Sequence, residues 1–156
     1  QGIPFMQEGE DFLRSKAYEE EGQTKYSGNS YNVGDFINNM DYDLKVKNVK
    51  MFETFKELIQ VRKNTPELHL STREEINNKV SIGKNDAITG NISCNIKKAN
   101  DTSKNILVIH ALNAFEYGAI NGTILFDNTG TYASNSPING SCTLKDNQTL
   151  IIALNN

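Results

Sequence analysis

The chain has 156 residues, a net charge of −3, 37% hydrophobic residues and 22% charged residues. These values are typical of an ordinary folded globular protein and exclude a globally disordered one. Its lysines and arginines are scattered, whereas nucleic-acid-binding proteins concentrate positive charge on one face. No apolar run approaches the roughly 20 residues that a membrane helix needs. We therefore expect neither a nucleic-acid partner nor a membrane partner.

Cysteine and histidine are too few to predict a metal centre. The chain contains two of each, Cys94 and Cys142, His69 and His110, whereas a structural zinc takes about four ligands. No metal and no cofactor is predicted. A disulfide between the cysteines stays open, although two free thiols are favoured. The compartment, bacterial cytoplasm or secreted, is open as well.

The first 43 residues are mostly polar. Residues 3–6 form a short apolar run that contains Pro4 and is plausible only as the end of a strand. Residues 7–43 are interrupted by four glycines and carry the acidic run Glu19-Glu20-Glu21. They are predicted to form one long loop. A loop of this length in a compact domain is usually either functional or disordered.

The strongest helix signal lies between residues 49 and 64. Apolar residues such as Met51, Phe55 and Leu58 recur at three- and four-residue steps, with charged residues between them. This spacing predicts an amphipathic helix with one buried stripe. Pro66 ends it, since proline lacks the N–H that an α-helix requires.

Beyond residue 77 the sequence favours strands. The predicted strands are 80–82, 87–89, 92–96, 106–112, 123–126, 142–144 and 149–154, and His110 in the fourth is predicted to be a partly buried core residue. Turn signals separate them, namely Thr89-Gly90, Asn121-Gly122, Asn128-Thr129-Gly130 and Asn139-Gly140. Short strands with regular turns predict an antiparallel β-sandwich.

An ordered set of short motifs resembles the end of the catalytic domain of type I pullulanases, which are starch-debranching glycoside hydrolases of the α-amylase clan. The resemblance covers residues 2–66. The motifs are Gly2-Ile3-Pro4-Phe5, Gly9-Glu10-Asp11-Phe12, Asn29-Ser30-Tyr31-Asn32, Gly34-Asp35, Met40-Asp41-Tyr42 and Leu58-Ile59-Gln60-Val61-Arg62-Lys63.

The resemblance implies a fold in two parts. Residues 1–70 would be the C-terminal remnant of a (β/α)₈ barrel, with its last strand, a long loop and its last helix. Residues 77–156 would be the C-terminal all-β antiparallel sandwich. The family hydrolyses α-1,6 branch linkages with retention, using carboxylates that the resemblance places upstream of Gln1. No catalytic residue is therefore assigned, and the chain alone is predicted to be inactive.

The same resemblance places the long loop in the substrate cleft. Tyr31, Asn32 and Asp35 are the substrate-contact candidates, because an aromatic ring can stack on a pyranose and polar groups can bind its hydroxyls. Hydrogen bonding inside the loop is the alternative for these residues. Glu10 and Asp11 are expected to shape the cleft floor. Arg14 is expected to pair with a carboxylate in the loop.

The predicted partners are an α-glucan of the pullulan, glycogen or starch type and the remainder of the barrel. Without that barrel, the helix around Leu58 would dock on the β domain, associate with itself or await a partner polypeptide. The alternative function is a stand-alone carbohydrate-binding or adhesion β-sandwich module. With no tryptophan in the chain, its aromatic platform would have to be Phe115, Tyr117 and Tyr132.

Overall fold

The structure is a computed structural model that describes residues 2–155. The chain divides into two compact units, one from Ile3 to Lys56 and one from Glu57 onward that also includes Gly2. No helix within residues 2–155 combines the length and the apolar character needed to cross a membrane. The domain boundary predicted between residues 70 and 77 stays a prediction.

The first unit holds short elements where the sequence predicted one continuous loop. A 3-10 turn is followed by a two-stranded antiparallel hairpin, in which β1 and β2 are joined at Glu21 and Gly22, both with positive φ. Two one-turn helices precede the long helix. The elements are the 3-10 turn Glu10–Phe12, β1 Ala17–Glu20, β2 Gln23–Tyr26, α1 Asp35–Asn38, α2 Leu44–Lys47 and the start of α3 Val49–Asn64.

The strand end predicted at residues 3–6 is not formed in this chain, and its place in a barrel stays a prediction. These residues have no regular secondary structure, and the side chains of Ile3 and Phe5 are 95% and 97% exposed. A strand is held by hydrogen bonds to its neighbours, and a four-residue run that contains a proline cannot supply them alone.

The predicted helix is confirmed with the same bounds, Val49–Asn64. Pro66 stands at the start of a 3-10 turn, Pro66–His69, as its missing N–H allows. Leu58 and Val61 from the C-terminal half of α3 pack against the apolar cluster of the sheet. Docking on the β domain, one of the three fates predicted for this helix, is therefore observed for its residues beyond Glu57.

A further helix, α4 Arg73–Lys79, was not predicted. Its first turn carries a capping box, in which the Thr72 hydroxyl accepts from the Glu75 N–H and the Glu75 carboxylate accepts from the Thr72 N–H.

The rest of the second unit is a six-stranded antiparallel sheet. The strand order is β3-β4-β5-β8-β6-β7, and all six strands are hydrogen-bonded into one sheet. The predicted antiparallel pairing is confirmed, and the described strands form one continuous hydrogen-bonded sheet where a sandwich of two sheets was predicted. The strands are β3 Val80–Asp86, β4 Asn91–Ile96, β5 Ile106–Ala111, β6 Phe115–Asp127, β7 Pro137–Leu144 and β8 Gln148–Leu154.

Each face of the sheet buries an apolar cluster. Leu107, Ile109 and Ile152 belong to the cluster on one face, which also takes residues from β6 and β7. The sheet folds over this first cluster, since the Tyr117 hydroxyl of β6 lies 3.5 Å from the Ser93 hydroxyl of β4, and the Lys84 ammonium of β3 lies 5.2 Å from the Phe115 ring centroid. On the other face Ile106 and Ile151 pack with α3 and the 3-10 turn after it. The strand β6 reaches both clusters, because a bulge between Ile124 and Phe126 shifts its register against β8.

Two predicted turns lie inside strands. Asn121-Gly122 is in the middle of β6 and Asn139-Gly140 is in β7. A Cβ on Gly122 would lie 2.5 Å from the carbonyl oxygen of Ala153 in β8, so this glycine serves the close approach of two strands rather than a turn. The signals at Thr89-Gly90 and Asn128–Gly130 are confirmed as turns, and the first of them includes residues 87–89, which were wrongly predicted as a strand.

His110 is exposed rather than partly buried, because the pleat turns it to the open part of the face while Ile109 and Ala111 are buried. Its Nδ1 lies 2.9 Å from the Thr149 hydroxyl. Both cysteines are free thiols. Burial raises the pKa of Cys94 and of Cys142 above the ordinary thiol value, so neither is an activated nucleophile.

Candidate functional site

The three substrate-contact candidates lie in the segment of residues 29–38, which is folded around Ser30. Ser30 is 4% exposed, and its hydroxyl accepts a hydrogen bond from the Lys16 ammonium. The Asn38 side-chain amide donates to the carbonyl oxygens of Ser30 (2.7 Å) and Val33 (2.6 Å). These bonds satisfy the inward-facing backbone groups and fix the path of the segment.

Tyr31, Asn32 and Asp35 are carried on the outside of this segment. The Tyr31 side chain is 91% exposed, and Asn32 and Asp35 are exposed as well. Asp35 is the first residue of α1. The structure thus brings all three to the surface within five residues. Their side chains make none of the loop-internal hydrogen bonds that the alternative interpretation requires among the described contacts.

Sequence reasoning missed Phe36, the residue after Asp35. Its side chain is 73% exposed, which is unusual for a phenylalanine and adds a second aromatic ring to this segment. The sequence signal that could have identified it was its position, directly after the candidate Asp35 and before Ile37, which is buried. In the first turn of a helix, adjacent residues point in different directions, so a buried Ile37 leaves Phe36 outside.

Arg14 fixes this segment through backbone groups. Its guanidinium donates to the carbonyl oxygens of Asn38 (2.9 Å) and Asn39 (3.3 Å). The predicted pairing with a carboxylate is therefore wrong. These carbonyls lie at the C-terminal end of α1, where the helix has no internal donors left and a cation is favoured.

Gly9 makes room for this arrangement. It has φ 96°, and a Cβ there would lie 2.6 Å from the Cβ of Arg14. Glu10 and Asp11 follow it in the 3-10 turn, and Phe12 at the end of the turn is buried. The two carboxylates are thus part of a structural turn that anchors Phe12, and that they shape the cleft floor stays a prediction.

Lys45 in α2 is surrounded by three aromatic rings. Its Nζ lies 5.3, 5.2 and 5.1 Å from the ring centroids of Phe12, Tyr42 and Phe52. Each distance is within the range of a cation–π contact. The ammonium therefore joins the 3-10 turn, α2 and α3 within the first unit.

Tyr42 also bonds to Glu8. Its hydroxyl donates to a Glu8 carboxylate oxygen at 2.8 Å. This bond, together with the negative charge of Glu8, raises the pKa of Tyr42 above its usual value. Tyr42 is therefore a hydrogen-bond donor at neutral pH and not a base.

The segment presents groups that suit a hydroxyl-rich ligand, and its carboxylates do not form a catalytic pair. Tyr31 and Phe36 present ring faces, which cover the apolar side of a sugar ring, while Asn32 and Asp35 present groups that bond to hydroxyls. Glycoside hydrolysis needs two carboxyl groups facing each other across the scissile bond, about 5 Å apart in retaining enzymes. Glu10 and Asp11 are adjacent in one turn and do not fit that geometry.

The aromatic residues of the second unit do not form an open platform. Phe115, Tyr117 and Tyr132 are half-buried and pack against the apolar cluster of the sheet. The Tyr132 hydroxyl donates to the Thr143 carbonyl oxygen at 3.0 Å. Because these rings pack against the core, they do not form the exposed aromatic platform that a stand-alone carbohydrate-binding module would need.

The fold defines a mixed helix-and-sheet region with an exposed polar and aromatic segment. No protein-family model matches the chain. Among solved structures, a type I pullulanase from Bacillus subtilis, in complex with maltose, superimposes with a TM-score of 0.80 at 24% identity, over 100% of this chain and 22% of that one. The resemblance to type I pullulanases predicted from the sequence is confirmed.

Two further structures agree. A pullulanase from Bacillus acidopullulyticus gives a TM-score of 0.78 at 26% identity, over 97% of this chain and 18% of that one. A pullulanase from an Anoxybacillus species, in complex with maltotetraose, gives a TM-score of 0.77 at 17% identity, over 99% of this chain and 21% of that one. The chain therefore has the fold of a pullulanase region and spans about a fifth of the length of these proteins.

Proposed function

We propose that this chain is the C-terminal part of a retaining, pullulanase-like glycoside hydrolase that cleaves α-1,6 linkages in α-glucans. The observation that carries the proposal is the similarity of the whole chain to one fifth of several pullulanases. Residues 1–70 would complete a (β/α)₈ barrel, and residues 77–156 would be the scaffold domain behind it. The catalytic carboxylates would lie in the remainder of the barrel, which is the proposed partner of the first unit.

Within that enzyme, the segment around Tyr31 would form one wall of the substrate cleft. Its exposed ring would stack on a glucose unit, and Asn32 and Asp35 would bond to sugar hydroxyls. Two of the similar pullulanases are complexes with maltose and maltotetraose, which supports an α-glucan as the ligand. The exposure of Tyr31 is what a sugar-stacking residue needs before its ligand arrives.

The experiment compares the 156-residue chain with the complete enzyme of which it is proposed to be a part. The complete enzyme should release reducing ends from pullulan, and the chain alone should release none. In the complete enzyme, Tyr31→Ala should raise KM about tenfold with little change in kcat, since stacking on a sugar away from the reacting bond stabilises ground and transition states equally.

Tyr26→Ala is the matched control, because Tyr26 is also an exposed tyrosine of the first unit, 71% exposed on β2. It should leave KM within about twofold. Pullulan hydrolysis by the isolated chain at the rate of the complete enzyme would show that the carboxylates were placed wrongly. Equal KM changes in the two variants would remove Tyr31 from the cleft.

A further inference from the structure

Two adjoining cavities lie beside the C-terminal end of α3 in the second unit. One, of about 350 Å³, lies between the turn after α3 and the loop of residues 100–104. The other, of about 270 Å³, lies between α3 and the loop that joins β6 to β7. They share Asn64, Thr65 and Leu125. We treat them as one continuous depression, the α3 groove.

Uncharged polar residues are the largest group in the lining of this groove. The amides of Gln60, Asn64, Asn100 and Asn135 line it, together with several hydroxyl groups. A side-chain amide has donors and an acceptor, which is the pairing that a sugar hydroxyl uses. The Asn100 oxygen already accepts from the Thr102 N–H and hydroxyl, so the open acceptors among the described contacts are those of Gln60, Asn64 and Asn135. The Leu125 side chain at the junction supplies an apolar surface for the C–H groups of a sugar ring.

The charged groups of the groove are already engaged with the protein. The Glu67 carboxylate is 2% exposed and accepts from the Ala99 N–H at 2.7 Å. Glu57 accepts from the Ser134 hydroxyl at 2.6 Å, and the Lys104 ammonium donates to the Asn155 side chain at 2.9 Å. Two carboxylates against one ammonium disfavour an anionic ligand such as a phosphate. A neutral ligand fits this lining best.

The walls of the groove are formed in advance. The Asn100 side chain accepts from the Thr102 N–H at 3.1 Å, and the Asn100 N–H donates to the Ser103 hydroxyl at 3.1 Å. On the other side, the bond from Ser134 to Glu57 holds the β6–β7 loop to α3. A ligand that enters such a groove loses little free energy to ordering the protein.

We infer that the α3 groove binds a neutral oligosaccharide, at a site separate from the segment around Tyr31. Its identification as an α-glucan rests on the proposed function, whereas its affinity for an uncharged, hydroxyl-rich chain rests on the lining alone. Each cavity is near the lower end of the size range of small-molecule sites, and together they suit a short linear chain.

The test is a titration of the ¹⁵N-labelled 156-residue chain with maltotetraose, followed by amide chemical shifts. Saturable shifts are expected at Asn64, Thr102 and Ser134. The double variant Gln60→Ala with Asn64→Ala should raise the Kd for these shifts about thirtyfold, because it removes two amide hydrogen-bonding partners of the ligand. Asn77→Ala with Asn78→Ala, exposed amides of α4, is the matched control and should leave this Kd within about twofold.

The variant Tyr31→Ala distinguishes binding in the α3 groove from binding at the segment around Tyr31. If the groove binds on its own, the shifts at Asn64 and Thr102 persist in this variant with the same Kd. They persist even if the complete protein proves inactive on pullulan, so a failure of the proposed function would be seen separately. The inference is overturned if the groove amides do not shift at millimolar maltotetraose, or if both double variants weaken binding equally.

Discussion

At the scale of single residues, the ammonium of Lys45 is the most connected charge in the first unit. It contacts the rings of Phe12, Tyr42 and Phe52 at centroid distances of 5.1–5.3 Å. Among the described residues of this unit only Phe12 and Ile37 are fully buried apolar side chains. Contacts to Lys45 therefore matter more here than they would beside a large core.

Lys45→Met should destabilise the first unit, because methionine keeps much of the apolar stem but removes the charge that the ring faces attract. A loss of about 1–2 kcal/mol in the free energy of unfolding is expected from three partly exposed cation–π contacts. It would be measured by hydrogen exchange of the Phe12 and Ile37 amides in the 156-residue chain, which reports local opening without a cooperative transition. Lys47→Met, at an exposed position of the same helix, is the control. Equal losses in the two variants would contradict a role for the rings.

At the scale of elements, the sequence predicted best where apolar spacing and a terminator agreed. The helix α3 was found with correct bounds because its apolar residues repeat at helical spacing and Pro66 follows. The hairpin of β1 and β2 was missed because its residues are exposed or half-exposed and show no alternation. The dipeptide Asn121-Gly122 was wrongly predicted as a turn. Glycine also occurs where two strands approach closely, and here the second strand is distant in sequence, so the local pattern could not reveal it.

For the candidate sites too, features that depend on residues distant in sequence could not be predicted. Tyr31, Asn32 and Asp35 were predicted as substrate contacts through motif order; the structure shows that they are exposed, and their binding role stays a proposal. The α3 groove could not be predicted. Gln60, Asn64 and Asn100 come together only because α3 packs on a sheet whose register is set by long-range pairing.

The short helix α4 should depend on pH through its capping box. Hydrogen bonds from the Thr72 N–H, and then from the Ser71 hydroxyl, lower the pKa of Glu75 below the usual 4.5. A lowered folded-state pKa means that this contribution to stability is complete above the unfolded-state pKa and is lost as the pH falls through the folded-state value. The helix should therefore fray at acidic pH, below the ordinary glutamate range.

This is measured by Cα chemical shifts of residues 73–79 and by direct titration of the Glu75 carboxyl carbon. In Glu75→Gln the amide stays neutral, so the helical shifts of α4 should lose this acid transition. An acid transition of equal size in the variant would place its cause elsewhere. A Glu75 midpoint at or above 4.5 would contradict the assigned hydrogen bonds.

At the scale of the whole molecule, the two units differ in how they are stabilised. The second unit buries two apolar clusters, one on each face of a six-stranded sheet. The first unit relies on Phe12, Ile37, the Lys45 contacts and backbone hydrogen bonds such as those of Arg14. Apolar burial is the main favourable term in folding, so the second unit should be stable by itself and the first should not.

Two truncated chains test this difference. A chain of residues 57–156 should unfold cooperatively in urea and keep slowly exchanging amides at Ile109 and Ile152, which are fully buried. A chain of residues 3–56 should show no cooperative transition, because two buried apolar residues cannot offset the conformational entropy of ordering so long a segment. Under the proposed function, the barrel would supply the missing contacts. Cooperative unfolding of residues 3–56 alone would contradict that dependence and make the first unit an independent module.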